Sequence, residues 1–330
     1  MTTTTERLVD QQVEQVLLEA ATRAPSVHNS QPWRFVVGPR RITVHADPER
    51  QLRVADAPGR SLLVSCGAAV MNLRVAAEHL GFHPRVRILP ATHDPTLVAT
   101  LDVDHRHHPR AGRLADLYPA VAARRTNRYP FADRRVPQSV LAEVIEAVDL
   151  EHAVLRVYDD AAEIDRVVGL IRTAELDAPL TLPDAAGERA HWVGRQGEGE
   201  GVPAGSLGPR PDSTRAPHRD LAPGPDPERE RVPFETTPTI AVLSTLHDQP
   251  TDWVRAGLAL ERALLVLTRA GVSASFMNQP VELPDLRWLL RSPVTGVGHA
   301  QMVLRIGYGP PVPPTPRRPL TEVVVRSDQG

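Results

Sequence analysis

The sequence predicts an α+β fold made of two tandem halves that pair with each other as an internal pseudo-dimer. Three observations predict it. Cys66-Gly67-Ala68-Ala69-Val70-Met71-Asn72-Leu73, running on to Leu80-Gly81-Phe82, is matched by Ala256-Gly257-Leu258-Ala259-Leu260-Glu261-Arg262-Ala263, running on to Ala270-Gly271-Val272. Gly67/Gly257 and Gly81/Gly271 are both 190 residues apart. The flanking segments recur in the same order, and 330 residues suit two domains of about 150 each. Chance likeness between Ala/Leu-rich helices is the competing explanation for any single match, and the shared order favours duplication.

The N-terminal residues Met1 to Asp10 are Thr-rich and polar, with no apolar core of a signal peptide. Leu17-Leu18-Glu19-Ala20-Ala21 reads as helix and resembles Val144-Ile145-Glu146-Ala147-Val148. Between that helix and a strand at Arg41 to His45 lies Ala24-Pro25-Ser26-Val27-His28-Asn29-Ser30-Gln31-Pro32-Trp33. Pro25 and Pro32 fix turns, and Trp33 anchors the next strand. Ser26, Asn29 and Gln31 carry hydroxyl and amide groups of the kind that read a flat heteroaromatic edge, or that merely tie a loop to itself. A long helix follows near 61–81 and ends at a glycine C-cap. A late strand spans Leu97 to Val103. Asp102, Asp104, His105, His107 and His108 then resemble a metal cluster, but Pro109 beside them favours a solvated turn, so no metal is expected. Asp47 and Asp56 suit caps. Cys66 suits a buried small residue, and no Ser/His/Asp order supports a nucleophile.

The halves divide near Pro119, giving 1–118 and 119–330. Arg124-Arg125-Thr126-Asn127-Arg128 opens the second half. Arginine's planar fork matches phosphate, and each charge-assisted hydrogen bond contributes about 1.5–3 kcal/mol. The same residues would also serve as a solvated basic face before a helix. Leu155 to Tyr158 is a strand. Residues 187–233 are dense in Gly, Pro and charge, including Gly197-Glu198-Gly199-Glu200-Gly201 and Pro223-Gly224-Pro225-Asp226-Pro227. Such a stretch is an irregular insertion or a lid, with Trp192 and Arg195 placed to cover a ring. A second long helix near 252–271 packs on the first. The strand Gln301 to Ile306 precedes a proline-stiffened arm, Gly309 to Leu320, that carries Arg317 and Arg318.

Composition excludes several classes. Net charge is −2, so nothing calls for nucleic acid or an anionic membrane. No run approaches 18 apolar residues, so no membrane span is expected. One cysteine excludes an internal disulfide and fits the cytoplasm. All 38 basic residues are arginine. That excludes Schiff-base chemistry, a Walker P-loop and a kinase-type lysine. A ligand with a flat ring at one end and a phosphate at the other would use both motifs, and FMN is such a ligand.

Ala-Pro-Ser-x-x-Asn-Ser-Gln-Pro-Trp followed by Arg34-Phe35 resembles the hallmark loop of the nitroreductase family of flavoproteins. Arg124 to Arg128 with Phe131 resembles that family's N-terminal Arg-Arg-Ser-x-Arg phosphate motif. Ile306-Gly307-Tyr308-Gly309 through Arg317-Arg318-Pro319-Leu320 resembles its C-terminal arm. Here the loop stands in one half and the other two motifs in the other. The resemblance therefore implies a fused pseudo-dimer with a single FMN site, as in the Acg-like subfamily. It implies that Pro25, Ser26, Val27, His28, Asn29 and Gln31 line one side of the cofactor. Arg124, Arg125, Thr126, Arg317 and Arg318 would hold the phosphate and ribityl chain, and Arg128 the N1/O2 edge. Ser273, Ala274, Ser275 and Phe276 would face the N5/O4 edge. No side chain need be catalytic, because the flavin carries the chemistry. The implied activity is hydride transfer from NAD(P)H to a small nitroaromatic, quinone or similar acceptor. The chain would act as a monomeric pseudo-dimer or as a homodimer of it. The rival is a protein that sequesters FMN with little turnover, and a decayed structural partner without flavin is a third reading.

Overall fold

A computed structural model of the chain describes residues 10–90, 93–103, 114–158, 160–194, 199–213, 216, 218–222, 226–291 and 298–326. The chain runs α1 (Gln11–Thr22), β1 (Trp33–Val37), β2 (Arg41–Ala46), α2 (Arg60–His79), β3 (Arg85–Ile88) and β4 (Leu97–Asp102). It continues through α3 (Tyr118–Ala123), α4 (Gln138–Asp149), β5 (Val154–Tyr158), α5 (Ala161–Thr181) and α6 (Ala185–Trp192). Next come β6 (Arg210–Pro211), β7 (Arg231–Val232), β8 (Thr239–Thr245), α7 (Pro250–Arg269) and β9 (Ser273–Phe276). Last are α8 (Gln279–Glu282), α9 (Pro284–Leu289), β10 (His299–Gly307), α10 (Leu320–Val323) and β11 (Val324–Arg326).

The architecture is α+β. One sheet has the order β11-β1-β2-β4-β3 and the other β5-β8-β10-β9. Setting β11 aside, each sheet is antiparallel and built from two strands, a long helix and two more strands, with the last strand inside. The 20-residue helices α2 and α7 are almost wholly buried and lie against each other at the centre. Their crossing needs glycine on both sides. A Cβ on Gly67 would lie 2.2 Å from the Val254 carbonyl oxygen, and one on Gly257 2.1 Å from the Val64 carbonyl oxygen. Both helices end alike: Gly81 and Gly271 have φ of +83° and +71°. Phe82 N–H reaches back to Ala77 O, as Val272 N–H does to Leu267 O. These are the helix-terminating bonds that a left-handed glycine permits.

Helix starts follow ordinary capping rules. Asp10 accepts from Val13 N–H, and Gln249 with Asp252 closes a capping box on α7. Asp56 accepts from the amides of Ser61 and Leu62 at the start of α2, and Asp47 from Glu49 N–H. Cys66 is buried with its thiol on Pro32 O, and burial pushes its pKa up. Helix α2 is long and apolar enough to cross a membrane by length and composition, which the sequence reading did not register. Most of the helix is buried inside the fold, where it forms the core between the sheets.

Three features depart from expectation. Strand β8 pairs with β5 only after an excursion that starts at α5, well before 187, whereas β1 and β2 are joined by a short turn. The described part of the insertion carries α6, a parallel β6–β7 pair and a small core of Val193, Val202, Leu207 and Leu221. The arm is extended as expected, but it then forms α10 and β11, which joins the sheet of β1–β4 parallel to β1. Among the cluster after β4, only Asp102 is described. It pairs with Arg41 and Arg87, and the histidines lie outside the described residues. Among the described residues no group of three or more His, Cys, Asp or Glu is placed to hold a metal ion.

Candidate active site

The loop after α1 and the turn after α3 meet across the central helix pair. Between them, roofed by the insertion and the arm, is a cleft enclosing about 1400 Å³ of space, counting its open mouth. Pro25, Ser26, Val27, His28 and Asn29 line one wall. Arg124, Arg125, Thr126, Arg128, Phe276 and Arg317 line others. The floor comes from helix faces, Ser61, Val64 and Ser65 of α2 and Leu260 of α7. Among the described residues the lining holds six arginines, Arg23, Arg124, Arg125, Arg128, Arg219 and Arg317, against one carboxylate, Glu282. Such a wall favours an anionic ligand.

The loop 25–31 is strained. His28, Asn29 and Gln31 have φ of +47°, +55° and +51°, a region that non-glycine residues seldom enter. The strain is held by cross-links. Ser26 Oγ accepts from Gln31 N–H at 2.9 Å, and Val27 N–H donates to Ser65 Oγ at 3.2 Å. Asn29 donates to Gly201 O at 2.9 Å and Pro316 O at 3.0 Å, and accepts from Arg317 at 3.1 Å. Gln31 donates to Gly199 O at 2.8 Å and accepts from Arg318 N–H at 2.9 Å. The polar side chains expected to read a ring edge are thus committed to the protein. They lock the loop to the insertion and the arm. Gln31→Ala is expected to destabilise by about 1–3 kcal/mol, because it strands two partly buried partners. Faster proteolysis within 199–222 and a lower unfolding midpoint would show it.

His28 is different. It is 9% exposed, faces the cleft, and among the described residues neither ring nitrogen has a hydrogen-bond partner. Burial, reinforced by Arg219, Arg189 and Arg128, holds its pKa well below the usual 6.5. A base depressed in the folded state contributes stability that is full above its unfolded pKa and declines as pH falls below it. The ring of the ligand-free protein is therefore expected to show no NMR titration between about pH 6 and 8. A titration centred there would contradict this environment.

The arginines form two groups. Arg317 reaches the carbonyl oxygens of Thr22, Arg23 and Ala24 at the end of α1, and Arg124 also donates to Arg23 O. Arg124 is 5% exposed, yet among the described residues its Nε and Nη1 have no hydrogen-bond partner. Those orphaned donors fit a phosphate. Arg128 donates to Ser206 O, and burial beside Arg219 lowers its pKa to about 10, so it stays charged at neutral pH. Arg219 holds Glu282 through two bonds of 2.6 and 2.8 Å.

Five of the residues expected to bind the cofactor do not line the cleft. Gln31 is the bracket just described. Arg318 binds Gln31 and Glu322 on the arm. Ser273, Ala274 and Ser275 lie in β9 behind the wall, where Ala274 fixes the arginine turn by pairing with Thr126 and accepting from Asn127 N–H. Trp192 is buried beside the Arg50 guanidinium, 5.7 Å away, and is absent from the lining, while Arg195 lies outside the described residues. Sequence reasoning missed Arg23, Ser61, Ser65, Arg219 and Glu282. Arg23 adjoins the loop motif and Ser61/Ser65 share one helix face, so both were findable. Arg219 and Glu282 carry no local signal.

Residues 4–49 match the model of the Nitroreductase family. The chain is 34% identical over 323 residues to Rv3131 of Mycobacterium tuberculosis strain H37Rv, provisionally named an NAD(P)H nitroreductase. That match covers 96% of this chain and 92% of that protein. It is 30% identical over 319 residues to acg of the same strain, under the same provisional name, covering 93% of each. A solved FMN and NADPH-dependent nitroreductase, NfnB from Sphigopyxis sp. strain HMH, matches at 16% identity with a TM-score of 0.39. It covers 65% of this chain and 99% of that one.

Proposed function

Because this chain belongs to the nitroreductase family, we propose that it is an FMN-dependent oxidoreductase. FMN bound in the cleft would supply the hydride chemistry, between NAD(P)H and a small nitroaromatic, quinone or similar acceptor. The observation that carries this reading is one cleft uniting Pro25–Asn29 with Arg124–Arg128 and Arg317. Arg124, Arg125, Thr126 and Arg317 would hold the phosphate. Arg128 would stabilise negative charge gathered by the ring on reduction, since a cation kept charged in a buried wall acts in a low dielectric. The strained loop would present its backbone to the ring, while Asn29 and Gln31 fix its shape. Arg318 and Ser273–Ser275 would act on the protein scaffold rather than on the ligand.

We read the chain as a fused pseudo-dimer of halves 1–118 and 119–330 with one complete site. The matching strand order of the two sheets and the reciprocal Gly67–Gly257 crossing support this. The C-terminal β11 crosses back to clasp the first half. A single buried cysteine is compatible with a reducing, cytoplasmic location.

A second reading, retention of FMN with little turnover, is favoured by one observation. The insertion is stitched over the loop: Gly201 N–H donates to Asn29 O at 3.2 Å, and Arg50 pairs with Glu200 at 2.6 Å. Glu188 accepts from the amides of Val54 and Ala55. Anaerobic addition of NADPH or NADH to the FMN-loaded protein separates the two. A reductase loses its visible flavin band and regains it on addition of an acceptor. A storage protein keeps the band.

A further inference from the structure

The phosphate end of the cleft hides a carboxylate that no ligand contact explains. Glu261, on α7 one residue past the lining Leu260, is 0% exposed, and among the described residues neither of its oxygens has a partner in good hydrogen-bond geometry. Its Oε1 lies 3.5 Å from Arg124 Nε, close enough to pair but outside bonding geometry. Asn72 faces it from α2, and Arg317 acts on it from the arm. Arg23 and Arg125 stand beside Arg317 in the same cluster. Arg262, next on α7, is turned away and bound to Glu151. At the position 190 residues earlier, α2 carries Met71, so the carboxylate occurs on only one side of the helix pair.

This inference rests on the FMN reading above. We propose that Glu261 is a positioning residue that holds Arg124 toward the cleft, and that phosphate binding there is coupled to proton uptake by its carboxylate. Two anions cannot share Arg124 and Arg317 in a buried pocket without cost. When a phosphate dianion claims those arginines, the neighbouring carboxylate is relieved by taking a proton from solvent. Burial already raises its pKa to about 7, against the opposing pull of Arg124, then the Asn72 amide, then Arg317. It is thus poised where a nearby dianion drives it over. Arg317 remains charged in this range, since its lowered pKa is still about 9. Raising the pH above neutrality ionises Glu261 in the empty site and must weaken phosphate binding. The sign is opposite to that of the phosphate itself, whose second ionisation near pH 6 strengthens binding as pH rises.

The test is flavin binding to the full-length apoprotein, followed by fluorescence quenching between about pH 6.5 and 8.5, with FMN and with riboflavin, which lacks the phosphate. One coupled proton raises the Kd for FMN about tenfold across this window. Riboflavin is expected to change less than about twofold. In Glu261→Gln the FMN dependence should flatten, with tighter binding than wild type at the alkaline end. Without any variant, calorimetry of FMN binding in two buffers of different ionisation enthalpy should give an uptake of about half a proton in wild type at pH 7, rising toward one by about pH 8. A pH-independent Kd for FMN, an unchanged slope in Glu261→Gln, or equal slopes for the two flavins would overturn the proposal. Failure of wild type to bind either flavin at any pH would remove the FMN reading, and this inference with it.

Discussion

Replacing Arg124 and Arg317 together by alanine is expected to weaken FMN binding by at least about a hundredfold, while riboflavin binding changes far less. Arg124 faces the cleft from a buried position and Arg317 from a half-buried one, and two of Arg124's donors, Nε and Nη1, have no hydrogen-bond partner among the described residues. A charge-assisted hydrogen bond contributes about 1.5–3 kcal/mol, so losing one from each residue costs about 3–6 kcal/mol, or two to four decades in Kd. The lower figure is the safer expectation. Both residues interact with Glu261, and the removal of neighbouring charges is not additive. Arg317→Ala alone should also lower thermal stability, because it frees the Thr22 and Ala24 carbonyl oxygens at the end of α1 and leaves Arg23 O to Arg124 alone. Parallel titrations of the two flavins separate the effects. General unfolding lowers both affinities, whereas loss of a phosphate site lowers one. A double variant that retained FMN as tightly as wild type would move the phosphate elsewhere.

The second large effect concerns the centre of the fold. Gly257→Ala should destabilise the protein by about 2 kcal/mol or more, although alanine is the better helix former by about 1 kcal/mol. The added carbon would meet the Val64 carbonyl oxygen at 2.1 Å and the Gly67 Cα at 2.8 Å. Both obstacles are backbone, so no side-chain rotation relieves the clash, and α2 and α7 must separate. Gly169→Ala is the control. It also lies inside a helix, α5, but its Cβ would meet nothing within 4 Å, so stability should be unchanged or rise by up to about 1 kcal/mol. Denaturant midpoints for the two variants should move in opposite directions. Equal shifts would mean that the helices do not cross at this glycine pair.

Much of the site was legible because its residues cluster in sequence. Loop 25–31 and turn 124–128 are short motifs whose composition states their chemistry, and the fold brings them into one cleft. The roles of the loop's polar side chains were not legible. Their partners, Gly199, Gly201 and Pro316, lie far along the chain and act through backbone carbonyls, which leave no mark in a sequence. The central helices announced themselves by a glycine spacing that returns after 190 residues. Strand β8 did not, because it follows a Pro/Gly-rich insertion that separates it from β5. The closing strand β11 is three residues long and derives its structure from β1 rather than from its own propensity. Glu261 left a faint signal that went unused. It is a lone carboxylate among Leu258, Ala259, Leu260, Ala263 and Leu264, a setting in which a charge needs a reason.

Quantifying FMN per chain is the most direct test of the claim that two unlike halves combine into one flavin site. The protein would be saturated with FMN and freed of excess, and its visible absorbance compared with its peptide content. The expected value is about one flavin per chain, because only one side of the helix pair unites the strained loop with the arginine turn and the arm. Two flavins per chain would contradict the single-site pseudo-dimer, and none would contradict a flavoprotein altogether.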